Sequence, residues 1–160
     1  MNRGSTYFLR LTVFLFGIAV LLLCLFALPW IAKEVLENSE GLATLVYPVL
    51  IGMYLAAIPF FIALYQALRL LSLIDKHEAF SPRSVNALKV IKWCAVAISF
   101  VYIGVMPFFY LIGEKDDAPG VVLIGLVFIF ASLVIAVFTA VLQKLVRSAI
   151  EIKSENDLTV

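Results

Sequence analysis

Apolar residues run almost unbroken through this chain, and the few charged positions fall into clusters that cut it into four stretches. Between Leu11 and Ala32, Gly41 and Leu68, Trp93 and Gly113, and Ala118 and Gln143 there is no Asp, Glu, Lys, Arg or His. These intervals are 22, 28, 21 and 26 residues long. A bilayer hydrocarbon core of about 30 Å is crossed by roughly 20 helical residues at about 1.5 Å each, so each interval crosses once and none crosses twice. The runs are too long and too continuous for the alternating strands of an outer-membrane barrel.

The first interval is longer than the apolar core of a secretory signal, and no small-residue cleavage pattern follows before Pro29, Trp30 and an acidic segment, so it reads as a retained helix. The pattern predicts an all-α membrane protein of one domain, with four transmembrane helices at about 11–32, 45–71, 90–112 and 120–143 and a tail at 152–160.

Composition sharpens this picture. Hydrophobic residues make up 64% of the 160 positions and charged residues 14%, with a mean hydropathy of +1.09, which excludes a water-soluble globule. The net charge is only +1, so nothing in the bulk charge predicts direct nucleic-acid binding. The distribution of charge is informative where its sum is not. Ten of the twelve Lys and Arg residues lie in the N-terminal segment, the 69–92 connection and the C-terminal segment; Lys33 and Lys115 are alone in the other two loops, beside Glu34, Glu37 and Glu40 or Glu114, Asp116 and Asp117. Basic residues concentrate on the cytoplasmic side, so both termini and the middle connection are expected there.

Proline and aromatic residues punctuate the spans. Pro29 and Pro107 fall near the acidic ends of the first and third helices, with Trp30, Phe108, Phe109 and Tyr110 as interfacial aromatics. Pro48 stands in the first turns of the second helix, whereas Pro59 lies in mid-membrane, where a helix kink is expected. Small residues at four-residue spacing (Ser132, Ala136 and Ala140; Gly52 and Ala56; Ala63 and Ala67) predict close helix packing within the bundle, with a homodimer as the sharper alternative.

Candidate chemistry is scarce. A carboxylate or other ionisable group within the membrane is what a proton-coupled transporter would use, and the spans have none. Tyr54, Ser99, Tyr102 and Thr139 are the hydroxyls best placed to line a polar pocket, but such groups also bond within their own helix. Cys24 and Cys94, each inside an apolar run, read as buried small hydrophobes and not as a disulfide or metal pair. The single histidine, His77, has no partner at metal-ligand spacing and reads as a solvated loop residue. No catalytic, cofactor-binding or metal site is predicted, and the chain does not read as an enzyme.

The segment Phe80-Ser81-Pro82-Arg83-Ser84-Val85 has the form of a helix start, with Ser81 at the N-cap, Pro82 at the first helical position and Phe80 stapled against Val85. It lies about 11 residues before the third charge-free interval, so that helix protrudes about 16 Å, with Val85, Leu88 and Ile91 on one face. The second helix continues through Leu73 and Ile74 to Asp75, and the fourth through Val146, Ala149 and Ile150. Helices two to four are expected to extend into a short cytoplasmic bundle. The terminal Ile152-Lys153-Ser154-Glu155-Asn156-Asp157-Leu158-Thr159-Val160 is too polar to add a core; it is expected either to fray or to present Leu158 and Val160 on an extended strand to a partner.

Tyr47-Pro48, Pro59-Phe60, Ala79-Phe80-Ser81 and the terminal Glu155-Asn156-Asp157-Leu158-Thr159-Val160 together resemble the YoaS-like bacterial membrane proteins of unknown function, over nearly the whole chain. The resemblance implies a four-helix protein of a bacterial inner (plasma) membrane, often encoded beside an Xre/Cro-type helix-turn-helix regulator, and it lends no catalytic residues. On that basis the partners expected are the lipid bilayer and a cytoplasmic Xre-type regulator. The regulator would be held or modulated through Phe80, Ser81, Arg83, Glu155, Asn156, Asp157, Leu158, Thr159 and Val160. The alternatives are a small transporter, export or immunity component acting on an apolar or membrane-active compound, and an accessory subunit of a membrane complex.

Overall fold

The computed structural model describes residues 3–38, 43–115 and 119–158, and every regular element among them is helical. Helix α1 (Arg3–Leu22) passes through a π-helical turn (Leu23–Ala27) into α2 (Leu28–Asn38) without leaving the helical path, so the three form one span. Helices α3 (Ala43–Asp75), α4 (Pro82–Lys115) and α5 (Gly120–Leu158) are the other three. All four are long and apolar enough to cross a bilayer. Each is longer than its charge-free interval, because the flanking charged residues are themselves good helix formers and continue the turn into water.

The helices pack mainly in chain order. The α1–α2 span rests on α3, α3 on α4, and α4 on α5, each pair antiparallel. Lipid supplies no hydrophobic drive between apolar helices, so close approach depends on small residues and shape. Gly52 faces Val105 so closely that a Cβ there would collide with the valine Cγ2. A Cβ on Gly125 would lie 2.9 Å from Met106 Sδ and 3.2 Å from Phe109 Cδ2. Val49, Val105 and Phe109 form the core of the α3–α4 contact, with Val121 of α5 packed against them. Ala56 and Ala136 are buried as well, while Ala63, Ala67, Ser132 and Ala140 are half-buried. A second core of Cys24, Leu28 and Leu50 joins the first span to α3. Phe16 packs on Phe60 at 5.5 Å between ring centroids, one residue from Pro59, and α3 runs unbroken through that proline and Pro48.

The faces turned away from these contacts carry Phe14, Ile18, Phe26, Phe100, Phe130, Val137 and Phe138, all more than half exposed, as side chains in contact with lipid are. Two of the hydroxyls within the spans bond inside their own helices. Ser99 donates to Ala95 O at 3.0 Å and Thr139 to Ile135 O at 2.6 Å, while Tyr102 stacks on Phe128 at 5.2 Å. Cys24 and Cys94 are buried free thiols.

Candidate partner-binding surface

The surface is built at the end of the molecule where basic residues collect. Helix α3 closes there on Asp75, and the chain reverses through 76–81 into α4. His77 adopts a left-handed φ of 61°, the Glu78 amide donates to Leu73 O at 2.8 Å and the His77 amide to Ile74 O at 3.1 Å. This pair of bonds is the Schellman closure, which needs one left-handed residue after the helix; histidine fills that role here without the freedom of glycine. His77 is exposed, as expected, but its backbone role has no signature in the residue pattern.

The start of α4 comes at Pro82, with Ser81 at the position before it, as the pattern predicts. Its chemistry differs. The Ser81 hydroxyl donates to Glu78 O at 2.7 Å, joined by the Ser84 hydroxyl at 3.2 Å, and the Ser84 amide bonds the Ser81 carbonyl at 3.0 Å. The serine thus ties the turn to itself, because the Schellman closure leaves the Glu78 carbonyl directed at both hydroxyls. Phe80, expected to staple against Val85, remains 58% exposed, and Val85 is half-buried. Arg83 Nη1 stands 3.9 Å from Glu78 Oε2 with most of its side chain in solvent.

Below the turn the protruding helices cover one another. Leu73 of α3 and Ala87 and Leu88 of α4 are buried, and Val85 and Ile91 are half-buried. Ser84, at 1% exposure, completes the contact, a small residue that a search for apolar spacing passes over. Lys92 Nζ donates to Gln143 Oε1 at 3.2 Å across the α4–α5 interface, and it lies 5.2 Å from the Trp93 ring. Arg10 Nη2 reaches Asp75 Oδ2 at 3.1 Å and ties α1 to the end of α3. Neither pairing was evident beforehand, because the partners are 51 and 65 residues apart.

The C-terminal segment departs from both expectations for it. It neither frays nor extends as a strand: α5 continues as helix to Leu158, and Thr159 and Val160 lie outside the described residues. Glu155, Asn156, Asp157 and Leu158 are exposed on it. Continuation is favoured locally by Glu151, Lys153 and Glu155, good helix formers with Glu151 and Glu155 on either side of Lys153. From the Lys92–Gln143 level, α4 has 10 further residues to Pro82 and α5 has 15 to Leu158, so α5 projects about 7 Å beyond the start of α4. The turn and the α5 projection therefore sit at the same end of the fold. Among the described residues no group of three or more His, Cys, Asp or Glu is arranged to hold a metal ion.

The family model for a protein of unknown function, DUF2975, matches residues 30–160. The chain belongs to this family. It is 59% identical over 160 residues, the whole of both chains, to the uncharacterized membrane protein YoaS of Bacillus subtilis (strain 168). No solved structure matches it. As a DUF2975 member with four apolar helices, it is a multi-pass membrane protein. The family description assigns no reaction, ligand or site residue to the surface just described.

Proposed function

We propose that this DUF2975 protein is a membrane-held docking platform for a cytoplasmic helix-turn-helix regulator of the Xre/Cro type, with both termini and the 76–81 turn in the cytoplasm. Such a role requires an ordered aqueous surface on the inner side of the membrane and no reaction centre. The observation that carries the reading is the continuation of α5 as a helix past Gln143 to Leu158, with Ile152 and Leu158 66% and 84% exposed. Among Glu151, Lys153, Glu155 and Asp157, these two exposed apolar side chains lie about 120° apart around the helix and offer a partner apolar contacts on two sides of the projection. Phe80 and Arg83 add an aromatic and a cation from the neighbouring turn. The ten basic residues at this end support that orientation.

Coexpression of the chain with the Xre-type regulator, followed by purification in mild detergent, tests the proposal. The regulator co-purifies with the full chain, and deletion of residues 154–160 releases it and changes transcription of its targets. Failure to co-purify, together with unchanged transcription after the deletion, removes the proposal.

A further inference from the structure

The first span changes helical register near the middle of the membrane, at a point where three residues from two helices meet. In the π turn the Leu28 amide bonds Leu23 O. In that register Cys24 O would accept from residue 29, but residue 29 is proline and has no N–H. The carbonyl left over takes the Tyr54 hydroxyl of α3, 2.7 Å away. Cys24 and Tyr54 each lie near the centre of their charge-free intervals, where no water is present to satisfy a spare carbonyl.

We infer that the π turn is a two-register switch in the first span, held in its observed setting by the Tyr54 hydroxyl. The alternative is a plain α-helix through the same residues. In that register the proline deprives Leu25 O instead, four residues earlier, at a position 58% exposed to the lipid and away from Tyr54. Dropping the extra residue of the π turn rotates α2 about 100° relative to α1 and moves it about 1.5 Å along its axis. Ala27 then takes the place of Leu28, and Ile31 the place of Ala32. Leu28 with Ala32 and Ala27 with Ile31 are isomeric pairs, so the face offered to Leu50 and Val46 keeps its summed volume, with the large side chain moved one turn along and its neighbours repacked around it. Summed volume is therefore the same in both registers, and the Tyr54 hydrogen bond is what distinguishes them. Since α2 carries Glu34 and Glu37, the register sets where the acidic end of the span points.

The test uses full-length protein in membranes, with Cys24→Ala and Cys94→Ala, which leave the backbone carbonyl in place. Paired cysteines at Ala32 and Val46, or at Ile31 and Val46, are oxidised with copper phenanthroline. With Tyr54 present, the 32–46 pair cross-links severalfold more than the 31–46 pair. Tyr54→Phe removes the bond that satisfies Cys24 O, and Pro29→Ala supplies an amide that relieves the orphaned Leu25 O in the α register but only adds a second donor to the already satisfied Cys24 O in the π register. Each variant raises the 31–46 yield severalfold at the expense of 32–46. An unchanged summed yield of the 32–46 and 31–46 pairs shows in every background that the first span still packs on α3. Pro29→Ala also adds a helical bond, so it does not share the folding risk of the tyrosine variant. An unchanged preference for position 32 in either variant overturns the inference.

Discussion

Lys92 donates to the side-chain carbonyl of Gln143 at 3.2 Å, and this bond marks the level at which both α4 and α5 leave their charge-free stretches. Gln143 is 5% exposed, so the amine has a fixed and largely dry partner there. Gln143→Leu leaves the Lys92 amine without it and is expected to destabilise the α4–α5 pair by about 1–3 kcal/mol. Gln143→Glu keeps an acceptor and is expected to hold stability. Thermal unfolding of the purified protein in one detergent distinguishes the two.

Gly52 and Val105 set the distance between α3 and α4. Gly52→Ala drives a methyl group into the valine Cγ2, and a β-branched residue has no easy rotamer into which to retreat. The expected loss is about 1–3 kcal/mol, recovered largely by Val105→Ala in the same chain. Gly104→Ala, where nothing lies within 4 Å of the new Cβ, is expected to hold or raise the melting temperature.

His77 occupies a left-handed position that most side chains reach only at a cost of about 1–2 kcal/mol. His77→Val is expected to loosen the turn, lowering the melting temperature and speeding hydrogen exchange of the Glu78 amide. His77→Gly keeps both at or above their original level.

The Arg10–Asp75 pair is about one-third exposed at both ends, and a pair in that setting contributes below about 1 kcal/mol. A double-mutant cycle with Arg10→Gln and Asp75→Asn is expected to give a coupling of that size that shrinks as salt is added. A coupling of several kcal/mol would mean that the first span depends on this contact for its place.

Orientation is open to direct test. A cysteine at Leu158, in a chain lacking the two native thiols, is expected to react with a membrane-impermeant maleimide only after cells are permeabilised. Labelling of intact cells would reverse the topology and remove the proposed regulator surface from the cytoplasm.

The sequence by itself determined that four helices cross a bilayer, because burying an uncompensated charge in hydrocarbon is so unfavourable that charge-free runs mark the spans. It also located the reversal between α3 and α4, since Ser81-Pro82 is a strong local start signal. Only the tertiary structure decided how the starting turn is bonded, with Ser81 and Ser84 both directed to Glu78 O, and that α5 stays helical to Leu158. It likewise decided that Gly52 meets Val105, that Lys92 meets Gln143, and that the spare carbonyl beside Pro29 belongs to Cys24 and is taken by Tyr54. The physical reason for the division is range. Solvation of each side chain by water or lipid acts position by position and can be read along the chain, whereas helix-to-helix hydrogen bonds and glycine contacts depend on rotations about helix axes that many weak, non-directional contacts set together.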